Sequence, residues 1–308
     1  MTFPKMRAVT AGLLPLSQLS HPQEVIRQFT PNWFAATMGT GVLALALAQF
    51  PGPLASVGHA LWLVNIVLFT LFSALYAARW VMFFDQARQI FGHSVVSMFF
   101  GCIPMGLATI VNGFLVFGLP GMGHIAVQIA TVLWWIDVAM AAACGVAIPY
   151  LMFTRQSHSI DQMTAVWLLP VVAAEVVAAA GGLLAPHLAD PHAQLVVLIT
   201  SYVLWALSVP LALSVIVVLI LRLVVHKLPH ASMAASSWLA LGPIGTGALG
   251  LMTLGQDAPA IFAANGLAAY GAAAAGLGLV GGVLLWGYGL WWLAMASLIT
   301  LRYARDGL

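Results

Sequence analysis

All ten Lys and Arg residues of this chain lie in one alternating set of connections between apolar runs. Lys5, Arg7 and Arg27 precede the first run; Arg79 and Arg88 follow the second, Arg155 the fourth, Arg222 and Lys227 the sixth, and Arg302 and Arg305 the last. The connections after the first, third, fifth and seventh runs carry none. Moving basic side chains across a bilayer is unfavourable, so they collect on the cytoplasmic side and set both spans and orientation. The pattern predicts an all-α polytopic membrane protein of the plasma (inner) membrane with both termini cytoplasmic.

Composition excludes a soluble globule: 62% of residues are hydrophobic and 6% charged, too little polar surface to cover one. The net charge of +2 comes from loop residues and implies no nucleic-acid partner. Cys102 and Cys144 both fall inside apolar runs, which predicts neither a disulfide nor a metal site. His226 and His230 are four apart, but Pro229 breaks the helical geometry that a two-histidine site uses, so no metal and no cofactor are expected. The first thirty residues hold no compact apolar stretch with a cleavage site, so no removable signal peptide is expected. Residues 1–31 read as a cytoplasmic tail with Val25, Ile26 and Phe29 on the membrane surface, 32–301 as the bundle and 302–308 as a cytoplasmic end.

Crossing about 30 Å of hydrocarbon takes about 20 mainly apolar residues. Eight spans are expected, at 33–50, 58–80, 94–119, 124–152, 163–185, 192–223, 235–254 and 276–301. The apolar stretch 258–275 is not a ninth, because that would carry Arg302 and Arg305 to the side otherwise free of basic residues. It reads as an outer loop helix, a re-entrant piece or an extension of the last helix.

The odd-numbered spans share a pattern of proline beside small residues: Pro104-Met105-Gly106, Pro170-Val171-Val172 and Pro243-Ile244-Gly245. The prolines recur at roughly 70-residue intervals, and one interval before Pro104 lies Thr37, beside Met38-Gly39-Thr40-Gly41. The chain thus reads as four two-helix units, each with an inner and an outer helix. A proline in a helix interior frees a carbonyl that lipid cannot satisfy, which places these helices against protein or a wet cavity. Broken helices of this kind expose backbone donors and positive dipole ends that attract anions near the midplane. Thr37, Thr40, Pro104, Thr109, Asn112, Pro170, Glu175, Pro243 and Thr246 are the expected pore-lining residues.

The segment from Phe29 to Gly41, the run from His93 to Gly113, Trp167 to Glu175 and Trp286-Gly287-Tyr288-Gly289-Leu290-Trp291-Trp292 resemble signatures of the tellurite-resistance/dicarboxylate transporter family. The resemblance covers nearly all of the chain from residue 29. It implies a slow-anion-channel-like fold of five helical hairpins around a pore lined by the odd helices, commonly assembled as a homotrimer. Members include malate permeases, sulfite efflux pumps, tellurite-resistance proteins and guard-cell anion channels. The chain departs from that pattern in showing four hairpins, since one further interval past Pro243 falls beyond Leu308. A truncated product, or closure of the ring by a neighbouring subunit, is the corresponding expectation. The family's pore-plugging phenylalanine on the ninth helix has no counterpart position here.

Two ionisable side chains sit deep in spans, Asp137 in the fourth and Glu175 in the fifth. A charge at that depth costs at least about 2.5 to 3.5 kcal/mol, so such residues face the interior, take a proton or find a partner. No Lys or Arg shares the membrane with them, which makes both candidates for proton coupling, Glu175 foremost because it follows Pro170 on an inner helix. No nucleophile and base pair suggests an enzyme, and no phosphate-cradling glycine loop suggests ATP-driven transport. The leading expectation is secondary transport or channel conduction of small anions, C4-dicarboxylates such as malate first, by resemblance. Sulfite efflux or tellurite resistance is the alternative within transport, and a truncated, non-transporting membrane protein the alternative outside it.

Overall fold

The computed structural model describes residues 21–305 and is helical throughout its long elements. Its elements are α1 (Gln23–Gln28), α2 (Phe34–Leu47), α3 (Pro53–Met82), α4 (Phe84–Gln89), α5 (Cys102–Gly113), α6 (His124–Thr154), α7 (Leu169–Leu184), α8 (Pro191–His226), α9 (Leu241–Ala264) and α10 (Ala268–Arg305). Short 3-10 stretches lead into α2, α5, α7 and α9. Seven helical segments are long and apolar enough to cross a membrane. The first expected span is shorter: the α-helical part of α2 has 14 residues. The stretch 258–275 divides between two helices, because Asn265, Gly266 and Leu267 turn the chain from α9 into α10 and Gly266 takes a φ of 75°.

Burial separates inner from outer helices as the repeat predicts. In the most apolar stretch of each span, 67% of residues are buried around α5, 89% around α7 and 50% around α9. The figures for α3, α6, α8 and α10 are 11%, 17%, 33% and 17%. Each inner helix packs on its hairpin partner, α2 on α3, α5 on α6, α7 on α8 and α9 on α10. The inner helices also pack in series, α2 on α5, α5 on α7 and α7 on α9, while α2 and α9 make no comparable contact among the described residues. The low burial of α3, α6 and α10 leaves broad apolar faces of the kind that lipid covers.

The series packs closely because glycine admits it. A Cβ on Gly101 would lie 2.0 Å from the Leu169 carbonyl oxygen, so the lead-in to α5 crosses the start of α7 almost backbone to backbone. A Cβ on Gly41 would lie 1.9 Å from Thr109 Oγ1, which brings α2 equally close to α5.

The prolines stand elsewhere in their helices than expected. Pro104, Pro170 and Pro243 fall in the first turn of α5, α7 and α9, just past the 3-10 lead-ins, and not in an α-helical interior. A first-turn N–H has no intrahelical α acceptor, so proline costs little there and its fixed φ suits the helix. The backbone donors at these junctions are also engaged: the Cys102 N–H bonds to Phe99 and Phe100, and the Leu169 N–H to Val166. The breaks therefore lie one to three turns in from the basic end of each span, and at α5 and α7 the junction donors are turned inward to the 3-10 turns. Interior prolines do occur, at Pro149 in α6, Pro210 in α8 and Pro259 in α9, two of them in outer helices.

The described part of the expected tail docks on the bundle. Helix α1 packs on α3, and Phe29, expected at the membrane surface, is 4% exposed among Trp33, Phe34 and Phe72. Arg79, at the end of α3, donates to the Phe29 carbonyl and fixes that segment. The remainder of the 1–31 assignment, and the last three residues of 302–308, lie outside the described residues.

Candidate functional site

Glu175 has no exposed surface and lies where α7, α8 and α9 meet. Its Oε1 accepts from Thr246 Oγ1 of α9 at 2.7 Å, and its Oε2 from Ser208 Oγ of α8 at 3.1 Å. Each of these hydroxyls has a second acceptor within reach. Ser208 Oγ is 2.8 Å from the Val171 carbonyl oxygen, and Thr246 Oγ1 is 2.7 Å from that of Gly242. A hydroxyl carries one proton and two lone pairs, so each can donate to the carboxylate or to the carbonyl, but not fully to both. With Glu175 ionised, both hydroxyls donate to it. With Glu175 neutral, its own O–H donates to one hydroxyl, whose proton turns to the carbonyl. Both protonation states leave the site's hydrogen bonds made, which is uncommon for a carboxyl so deep in a protein.

Why the sequence builds this site follows from its small residues. Ala173, Ala174, Ala178 and Gly181 give α7 a slim profile that lets three helices crowd around it. Ser208 was not singled out in the sequence; it is one of several hydroxyls in an apolar outer run that also holds Thr200, Ser201 and Ser214, and only its contact with α7 distinguishes it.

The other expected residues do not join this cluster. Thr37 is fully buried, donates to the Phe34 carbonyl at 2.8 Å and abuts Gly106. Thr109 is 3% exposed, donates to the Gly106 carbonyl at 2.8 Å and accepts from Asn65 Nδ2 at 3.1 Å. These two therefore seal the contacts among α2, α3 and α5 and face no open route. Pro104 is buried along an apolar cleft of about 320 Å³ between α5 and α6, lined in part by Phe100, Met140 and Cys144. Pro170 and Pro243 are buried, and Thr40 is half-buried on α2. Asn112 is half-buried with its Oδ1 enclosed and unpartnered, two residues before a π-helical turn at Phe114–Gly118 that nothing in the sequence announced. Such turns recur at functional positions.

Asp137 contrasts with Glu175. It is fully buried on α6, yet neither carboxylate oxygen has a hydrogen-bond partner among the described residues, so it makes no structural tie. The neighbouring Trp134 does make one, from Nε1 to the Val177 carbonyl at 2.9 Å. An unpartnered buried carboxyl is a burden on the fold, and Asp137→Val should raise the unfolding temperature in detergent, by the equivalent of about 1 to 3 kcal/mol. A lower unfolding temperature would show that Asp137 holds a partner after all. Among the described residues no cluster of His, Cys, Asp and Glu is arranged to hold a metal.

A bundle of helical hairpins with buried inner helices, lipid-suited outer faces and a satisfied carboxyl at its centre defines the class: a polytopic α-helical membrane protein. Residues 28–306 match the voltage-dependent anion channel (SLAC1) family, and the chain belongs to that family. It is 38% identical over 241 residues to the sulfite efflux pump of Arthroderma benhamiae, covering 77% of this chain and 64% of that protein. An uncharacterized transporter of Methanocaldococcus jannaschii is 32% identical over 241 residues, covering 77% and 67%. The malic acid transport protein of Schizosaccharomyces pombe is 25% identical over 166 residues, covering 53% and 36%. The chain thus spans just under two thirds of the length of the first of these relatives.

Proposed function

We propose that the protein moves small oxyanions across the membrane as a secondary transporter, with sulfite its first substrate and proton uptake by Glu175 coupled to passage. The single observation that carries the coupling is the pair of hydroxyls, Ser208 and Thr246, that can serve Glu175 in either protonation state. Family membership supports the anion class. We rank sulfite ahead of the C4-dicarboxylates favoured by resemblance alone, a reading supported by the greater identity and extent of the likeness to sulfite pumps than to the malic acid transporter. The half-buried Thr40, Asn112 and Thr246 are the polar side chains we assign to the anion's route, weak ligands suited to passage. Glu175 itself is closed off, so passage requires α7 to separate from α8 or α9. The basic ends of the helices face the cytoplasm of an inner or plasma membrane, and copies assemble as a homo-oligomer, a trimer by resemblance.

The test is flux from proteoliposomes loaded with labelled sulfite or malate. Sulfite release faster than malate release, and accelerated by a pH gradient, is the expected result; malate preference would overturn the substrate order. The exposed faces of α2 and α9, where Gly39, Gly242 and Gly245 meet nothing, favour a second reading in which flux requires further helices against them. Well-folded protein with no flux of either anion would support that reading over the first.

A further inference from the structure

A cavity of about 40 Å³ lies where the chain entering α5 meets the loop that joins α6 to α7. Its polar lining is Ser94, Ser157, His158, Ser159, Gln162 and Thr164, and Met98 and Trp167 help to close its apolar side. A water molecule takes about 10 to 15 Å³ of such space, so there is room for about three, or for one compact oxyanion of about four non-hydrogen atoms. A C4-dicarboxylate is about twice that size and does not fit.

The hydrogen bonds around His158 settle which of its ring atoms can meet a ligand. Gln156 Nε2 donates to the Phe91 carbonyl at 2.8 Å and to Ser97 Oγ at 3.0 Å, and because a carbonyl can only accept, the orientation of the amide is fixed. Gln156 Oε1 is therefore the acceptor for His158, whose Nε2 carries the hydrogen of their 3.0 Å bond. In the neutral ring Nδ1 is then a bare acceptor, and it takes no partner among the described residues. Burial lowers the His158 pKa from its ordinary 6.5, which favours that neutral form. Trp167 meets the imidazole edge to face, with ring centroids 5.0 Å apart, and steadies its plane. Thr164 Oγ1 accepts from the Val166 N–H at 3.4 Å, which leaves its own proton to donate.

The charged and titratable groups nearby are engaged beside the cavity. Asp161 is exposed, and the Ser159 hydroxyl holds its carboxyl below the usual range. Arg222 donates to the Asp161 carbonyl, and His93 Nδ1 accepts from the Val95 and Val96 N–H groups at 3.2 Å. The cavity thus offers several hydroxyl and amide donors and one ring acceptor. Its complement is a small group with several acceptor oxygens and a single proton.

We propose that this cavity binds a compact oxyanion that carries one proton, its O–H donated to His158 Nδ1 and its other oxygens accepting from Ser94, Ser157 and Thr164. Hydrogen sulfite is that ligand under the transport reading, on which this inference rests. Val166, at the cavity wall, lies about 14 Å along the helix from Glu175, so the anion is held with its proton at the start of the helix that bears the coupling carboxyl.

The test is equilibrium dialysis of labelled sulfite against the purified full chain in detergent at neutral pH, with phosphate, sulfate and malate as competitors. Phosphate keeps a proton at that pH and sulfate does not. The expected result is saturable binding displaced by phosphate but not by sulfate or malate. His158→Phe keeps a ring against Trp167 and removes the acceptor, and it should weaken binding about tenfold. Ser157→Ala, at an exposed position where the fold is indifferent, should weaken it about threefold. Displacement by sulfate or malate as effective as that by phosphate, or undiminished binding by His158→Phe, would overturn the proposal. Sulfite flux in a protein whose binding ignores both substitutions would remove this site and leave the transport reading, whereas binding lost as expected in a protein without flux would uphold the site and remove transport.

Discussion

Glu175→Gln is expected to leave a folded protein whose anion flux no longer responds to a pH gradient. Glutamine has the shape of the neutral acid, and its amide can donate to one hydroxyl while its oxygen accepts from the other. Ser208 or Thr246 would then turn its proton to the Val171 or Gly242 carbonyl, so the junction of α7, α8 and α9 stays hydrogen-bonded. What the variant loses is a group able to take up and release a proton. Each coupled proton contributes about 1.36 kcal/mol per pH unit, equivalent to about tenfold accumulation of the anion. The unsubstituted protein should show that accumulation in proteoliposomes across one pH unit, and Glu175→Gln should show none while retaining downhill flux. Undiminished accumulation by the variant would remove Glu175 from the coupling and return it to a structural part.

The second large effect is expected on the fold itself, from Gly101→Val. The clash at Gly101 is with backbone, the Leu169 carbonyl and the Pro170 Cα, so no side-chain rotation relieves it. Overpacking a well-filled site costs about 1 to 3 kcal/mol, and a branched side chain against main chain should exceed that range. Because this crossing joins the lead-in of α5 to the start of α7, its separation would also disturb the packing around Glu175. Gly101→Val should therefore fail to give a monodisperse peak in detergent. Gly287→Ala is the matched control, since a Cβ there meets nothing within 4 Å. Equal behaviour of the two variants would show that the inner helices are looser than their close crossings imply.

How legible the protein was differed by level. Span positions, the inner and outer alternation and the resemblance could be read because hydropathy and basic-residue placement respond to the bilayer, a solvent that acts on every residue in the same way. The proline repeat could be read too, but its meaning could not. Sequence spacing marks where Pro104, Pro170 and Pro243 stand, whereas a 3-10 lead-in, which turns an apparent interior break into an ordinary first turn, depends on how the chain enters the bundle. The π-helical turn after Asn112 is of the same kind, a backbone register set in the folded chain.

The candidate site divides along a similar line. Glu175 and Asp137 were visible as carboxyls in apolar runs, and only the place of Glu175 after Pro170 on an inner helix set it ahead. The fold gives Glu175 two hydroxyl donors from helices 33 and 71 residues away and gives Asp137 none. Thr37 and Thr109 looked like pore residues until close helix crossings at Gly106 and Gly41 enclosed them. The amino-acid order was enough to say that this chain lives in a membrane and to find the seven segments long and apolar enough to cross it, because transfer from water to lipid is a property of each segment alone. Which carboxyl is satisfied, and which threonine is buried, emerged only when distant helices met, because a hydrogen bond requires two groups within about 3 Å of each other and no single segment contains both.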